Sequence, residues 1–250
     1  MPQVYELGGN DWQFGPLSRR PFDEVKLQAV SSIKTLQACL SETELWPPGD
    51  GWKFHNAQLD KLWRYARWAL KPVASSDSAA QHKPAQGENK FRPVSQKEGA
   101  RELAALYTLE EFATASQRVQ ALGLQVAIEH MRRRKYNTRG VCLWQFNEPW
   151  PAISWAIVDY WRRPKLAYQR LKDLYNPVLV GLTFRQARYQ AGESMQAEVW
   201  AVNDSLARLE GCWLQIELDS VKTHEVGLTL PPDSVQTVGV LTGSFPGRAT

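Results

Sequence analysis

The sequence is short of the residues that build disulfide scaffolds and metal centres: three cysteines and four histidines in 250 positions. Cys39, Cys142 and Cys212 are odd in number, far apart and set among apolar neighbours. That excludes a disulfide framework and a cysteine-rich zinc site, and it favours a reducing compartment. His55, His82, His130 and His224 have no carboxylate or cysteine partner at ligand spacing, so no metal is assigned and no cofactor is expected. A Gly-rich phosphate loop is missing, as is a Gly-x-Ser-x-Gly nucleophile elbow. So is any run of roughly 18 apolar residues, the shortest that reads as a membrane span. Met1-Pro2-Gln3 does not open a signal peptide, and the expectation is a cytoplasmic chain without membrane contact. Charge of one sign is also lacking. The formal net charge is +4 with acidic and basic residues interspersed, which leaves no nucleic-acid footprint. The one basic run, Arg132-Arg133-Arg134-Lys135, closes a predicted helix, where cations suit the dipole, and is expected on a solvated face.

What is present is an ordinary globular composition, 43% hydrophobic and 22% charged, with eleven tryptophans. Four of those tryptophans fall between Gly140 and Lys165. Val141-Cys142-Leu143-Trp144 reads as a strand buried on both faces, and polar and aromatic residues take over from Gln145. Pro149 and Pro151 cannot donate ladder hydrogen bonds, so the strand stops near Asn147 and passes into a loop carrying Trp150 and Trp155. Amides, a carboxylate and flat rings at a strand end suit a polyhydroxylated ligand, whose CH faces stack on aromatics. Core packing is the competing role for each indole.

Before this stretch, spacing predicts helices over Ser32 to Leu40 and Gln58 to Leu70. Residues 72–100 are too polar to bury a core and are expected to form a mobile loop. Thr108-Leu109-Glu110-Glu111 is a capping box opening a helix to about Arg134, which feeds the strand at 141 as an αβ unit of a parallel sheet or barrel does. After it, Pro164 to Tyr175 reads as a helix. Alternating strands follow over Val178 to Phe184, Gln196 to Asn203, Cys212 to Leu218, Glu225 to Leu230 and Val235 to Leu241, as in an immunoglobulin-like sandwich with fewer strands than usual.

Together these segments resemble the C-terminal part of β-mannosidases of glycoside hydrolase family 2. Trp144-Gln145-Phe146-Asn147-Glu148-Pro149-Trp150-Pro151 is similar to the family's sequence at the last barrel strand. Ser154-Trp155, Asp159-Tyr160, Arg163-Pro164-Lys165 and Ala167-Tyr168 continue it in order. Pro177 to Val180, Ala197 to Trp200 and Val202-Asn203-Asp204 resemble the start of the family's immunoglobulin-like domain. Leu45-Trp46-Pro47-Pro48 and Trp52 to Asn56 resemble a segment that follows the family's nucleophile.

The resemblance implies an α/β plus all-β chain. Residues 1–176 would form the C-terminal portion of a (β/α)8 TIM barrel, and 177–250 a truncated immunoglobulin-like β-sandwich. It further implies a retaining exo-glycosidase acting on β-mannosides or oligosaccharides, with Trp144 in the wall of the sugar pocket and Asn147 and Trp150 beside it. The acid/base carboxylate of the family lies upstream of anything matched here. For the nucleophile two alignments stay open. One lays Asp23-Glu24-Val25-Lys26 on the nucleophile segment and makes Glu24 the nucleophile. The other places Phe14-Gly15 and Pro21 to Glu24 before that segment and makes Glu24 a surface carboxylate. Glu148 matches a family acid that is not catalytic, and its implied work is holding the loop or a neighbouring side chain. The alternative reading is an incomplete derivative acting at most as a weak carbohydrate-binding or interaction module. A partial barrel leaves strand edges unpaired, through which association is expected.

Overall fold

The computed structural model describes residues 22–25, 27–66, 69–70, 105–138, 140–184, 194–218 and 221–244. The loop expected at 72–100 and the turn at Ala191-Gly192 lie outside them. The chain divides into two compact units, each gathered from separate stretches. One comprises Met1–Lys26, Gly123–Trp144 and Gln169–Thr250, the other Leu27–Leu122 and Gln145–Tyr168.

The second of these units is helical. It contains α1 (Ile33–Cys39), α2 (Glu42–Leu45), α3 (Asp50–Phe54), α4 (Leu59–Ala66) and the first half of α5 (Leu109–Arg133). Ser32 caps α1, its hydroxyl accepting from the Thr35 amide at 3.3 Å. The capping box of α5 forms as the sequence predicts: the Thr108 amide donates to Glu111 at 2.8 Å and the Glu111 amide to the Thr108 hydroxyl at 3.2 Å. Such reciprocal satisfaction of helix-end amides contributes about 1 kcal/mol. Helical spacing turns Leu36, Leu40, Leu62, Ala66 and Phe112 inward around Trp52. The Trp52 indole N–H is satisfied by the carbonyls of Glu44 and Leu45, so a fully buried ring carries no unpaired donor. Burying each of these large side chains stabilises the unit by ~1.5–3 kcal/mol.

In the other unit β1 (Phe22–Val25) pairs in parallel with β2 (Gly140–Leu143), in a register that sets Glu24 opposite Cys142. β2 is not buried on both faces. Cys142 is exposed, and Val141 and Leu143 are half-buried. Among the described residues its sheet has two strands, and an apolar sequence alone cannot supply the layers that would cover it.

α6 (Leu166–Leu174) precedes the antiparallel part of that unit: β3 (Val178–Phe184), β4 (Ser194–Asn203), β5 (Leu209–Leu218), β6 (Val221–Leu230) and β7 (Ser234–Ser244). These form a three-stranded sheet in the order β3-β4-β7 and a two-stranded sheet β5-β6. β4 is the central strand, with Trp200 only 1% exposed and its ring lying over Gly181 of β3. Buried Asn203 donates to the carbonyls of Ala207 and Pro231, both at 2.9 Å, and accepts from the Ser205 amide, pinning two turns.

The basic run after α5 also departs from its expected solvated face. Arg132 pairs with Asp204 at 2.7 Å, Arg133 with Glu198 at 3.2 Å, and Lys135 with both Asp204 and Asp233. The cations that close the helix are met by Glu198 within β4 and by Asp204 and Asp233 beyond strand ends, and the Arg132 and Lys135 side chains are only 10% and 14% exposed.

Candidate functional site

Each residue singled out by the sequence has a definite place. Glu24 is the third residue of β1 and Trp144 follows β2 directly; both belong to the unit with the sheets. Asn147 and Trp150 belong to the helical unit. Trp144 is 47% exposed and Trp150 40%, so both offer indole surface to solvent, and Asn147 is exposed too.

The loop from Gln145 folds back on itself. The amides of Ile157 and Val158 donate to the Phe146 carbonyl at 3.2 and 3.0 Å, and the Glu148 amide donates to the Val158 carbonyl at 3.2 Å. A proline on either side of Trp150 fixes φ and removes two donors, which leaves this segment to side-chain and loop hydrogen bonds.

Within the helical unit the loop rests on a buried polar layer. Glu148 is 4% exposed and accepts from the Ser154 hydroxyl and from the Gln145 side chain. Burial pushes its carboxyl above the usual range, against the opposing pull of Ser154, Lys165, Gln145 and the Ala156 amide. A carboxylate so enclosed holds the loop. Lys165 is 2% exposed and donates to the carbonyls of Ala29 at 2.9 Å and Ser154 at 3.0 Å. Burial lowers its ammonium to about 8 even though Glu148 and Asp159 favour the charge. Asp159, also buried, accepts from Thr35, from Ser32 at 3.2 Å and from the Arg163 amide at 2.8 Å.

His55 completes the support. Nδ1 lies 2.6 Å from the Pro151 carbonyl and Nε2 lies 3.2 Å from the Cys39 carbonyl. A neutral ring donates to one such carbonyl and an imidazolium to both. Trp150 stacks on the imidazole, and Phe54 meets Trp150 edge-on at 6.3 Å. Gln28 donates to the carbonyls of Asn56 and Ile153 and accepts from the Gln58 amide at 2.7 Å, tying the start of the helical unit to the same loop. Sequence reasoning passed over His55 and Lys165. His55 had no partner at ligand spacing because its partners are backbone carbonyls, and Lys165 stood inside Arg163-Pro164-Lys165 without a mark of burial.

Within the helical unit the arrangement backs the half-exposed indole of Trp150 and the loop that carries Asn147, suited to stacking and hydrogen bonding. Among the described residues no group of histidine, cysteine, aspartate and glutamate is placed to hold a metal, and no helix is long and apolar enough to cross a membrane.

No family model matches the chain. Among curated proteins it is similar to β-mannosidase B of Thermothelomyces thermophilus, 30% identical over 217 residues, which is 79% of this chain and 22% of that protein. It is also similar to β-mannosidase B of Aspergillus niger, 37% identical over 103 residues, covering 38% of this chain and 12% of that protein. The chain therefore spans about a fifth or less of the length of these relatives. Among solved structures it resembles a β-D-mannosidase from Dictyoglomus thermophilum with a TM-score of 0.62 and 24% identity, over 87% of this chain and 23% of that one. This is a likeness of fold, built here from helices, one parallel strand pair and antiparallel sheets.

Proposed function

We propose that the chain, a β-mannosidase-like sequence of glycoside hydrolase family 2, is a portion of a retaining exo-glycosidase that removes terminal β-mannosyl residues from oligosaccharides. The similarity to β-mannosidase B over 217 residues carries this reading. In it, residues 1–176 contribute the C-terminal portion of a TIM barrel and 177–250 an immunoglobulin-like sandwich. The setting is cytoplasmic. The exposed indole of Trp144 forms a wall against the sugar ring, Asn147 supplies an amide to a hydroxyl, and Trp150 adds a second flat face.

A retaining route needs an acid to protonate the leaving oxygen and a carboxylate about 5 Å away to attack the anomeric carbon. Glu24 is the nucleophile under the first alignment. Its support is the parallel pairing of β1 with β2: Glu24 is the penultimate residue of a strand next to the Trp144 strand, and barrels of this class carry catalytic groups at strand C-terminal ends. The acid/base has no counterpart among the matched segments.

The second reading, a weak carbohydrate-binding or interaction module associating through strand edges, is favoured by the two-stranded β1-β2 sheet among the described residues. Release of p-nitrophenol from its β-mannoside by the purified 250-residue chain and its Glu24→Gln variant separates the two. Turnover lost in the variant supports the enzyme with Glu24 as nucleophile, and equal turnover removes Glu24 from the mechanism. Mannoside binding without turnover, abolished by Trp144→Ala, supports the module.

A further inference from the structure

At the start of β2, the end opposite Trp144, the unit with the sheets contains a cavity of about 560 Å³, within the roughly 300–1,000 Å³ typical of ligand pockets. We propose that this cavity binds a neutral, polyhydroxylated small molecule of monosaccharide size. The assignment is independent of the proposed sugar wall, since Trp144 is not among the described residues that line it.

Its chemistry follows from the groups that face it. Arg132 and Lys135 line it together with Asp204 and Asp233, and these four already pair with one another. Among the described lining residues two cations stand against two carboxylates, a balanced set that favours neither a phosphate nor a polyamine. The pairs leave second lone pairs on the carboxylate oxygens, which accept hydrogen bonds from hydroxyl groups. Tyr175 is also on the lining, and among the described residues its hydroxyl has no hydrogen-bond partner.

Two rings supply the apolar part. Tyr136 is 65% exposed and Tyr175 49%, and both border the cavity; the Lys135 ammonium lies over one face of Tyr136, 6.0 Å from its centroid, and the exposed remainder of each ring can meet the CH edges of a ring-shaped polyol. The Tyr136 hydroxyl donates to the Asp233 carbonyl, which fixes its ring beside the ion pairs. Met131 and Val141 add a short apolar lining. Among the described lining residues, balanced charge, spare acceptors and two exposed phenol rings are the complement of a sugar-like molecule.

The test is an NMR titration of the full chain, carbon-13 labelled at tyrosine, with methyl β-mannoside in one arm and inorganic phosphate in the other. Saturable shifts of the Tyr136 and Tyr175 signals with the mannoside are expected, weakened roughly tenfold in Tyr175→Ala. Tyr175→Phe, which keeps the packing, should weaken them several-fold. Trp144→Ala should leave them unchanged, whatever the outcome of the turnover assay. Mannoside shifts absent at these two tyrosines, shifts produced by phosphate but not by mannoside, or shifts abolished by Trp144→Ala would each overturn the assignment.

Discussion

The imidazole of His55 lies against the indole of Trp150, ring centroids 5.7 Å apart and planes inclined by 24°, while both imidazole nitrogens face backbone carbonyls. One side chain thus sets the ring above it and the loop beside it. The exposed tryptophan is held in place by a residue that does not itself need to meet a ligand.

His55→Ala should therefore loosen the loop as well as remove packing. The loss of the stack and of the carbonyl contacts is expected to cost about 2–3 kcal/mol in urea unfolding. Trp150 emission should shift to the red as its ring meets more water. An unchanged spectrum would show that Trp150 is fixed by other contacts.

Lys165 gives an alkaline signature. Its pKa is about 8 in the folded chain, depressed chiefly by burial, against roughly 10.4 in an unfolded one. Between these values the unfolded state holds more protons, so stability rises with pH across the window, by an amount on the order of 3 kcal/mol. Below pH 8 the buried charge is a cost. The two carbonyls that receive its protons can still be satisfied by the neutral amine. Lys165→Met should remove this rise, as denaturant midpoints between pH 7.5 and 10.5, roughly that window, would reveal.

Asp204 gives an acid signature of opposite sign. Burial alone would raise its carboxyl, but hydrogen bonds from Lys135 and Arg132 and their charges hold it below the usual range. Its contribution is fully present above the ordinary carboxylate value of about 3.9 and is lost as pH falls through the lower folded value. Asp204→Asn should flatten the acid limb of the unfolding curve, and high salt should weaken the effect because the carboxylate is partly exposed.

Gly181→Ala should be among the more damaging single-methyl additions. A Cβ there would stand 2.1 Å from the buried Trp200 ring, which also donates to the Thr183 hydroxyl at 3.1 Å and cannot easily turn away. A loss of about 1–3 kcal/mol is expected from overpacking. Thermal unfolding followed by tryptophan fluorescence measures it, and an unaltered midpoint would mean that β3 shifts freely.

Local patterns were readable where their partners are local. The capping box at Thr108 and Glu111 joins residues three apart, and α5 runs from Leu109 to Arg133 against an expected end near Arg134. β3 matches its predicted span, and the other four antiparallel strands run longer than their apolar alternation suggested. Distant partners were not readable. Arg132 and Lys135 looked solvated because Asp204 lies 72 and 69 residues away. Lys165 looked ordinary because the Ala29 carbonyl it meets is 136 residues distant and leaves no side-chain signature. Val141 to Trp144 read as a covered strand because apolar composition reports a preference for burial and not the layer that would provide it. Glu148, expected to hold the loop or a neighbouring side chain, accepts from Ser154 and Gln145 of its own loop.

The interleaving of the two units along the chain sets an order of events during synthesis. The helical unit needs residues up to Tyr168, while the unit with the sheets draws on the chain as far as Thr250. At roughly 5–20 residues per second, several seconds or more separate the emergence of the last residue of the first from that of the second. During that interval Gly123–Trp144 has left the ribosome without the strands it packs with. The cations of its helix end and the apolar strand beyond it then wait for the partners that the later strands bring.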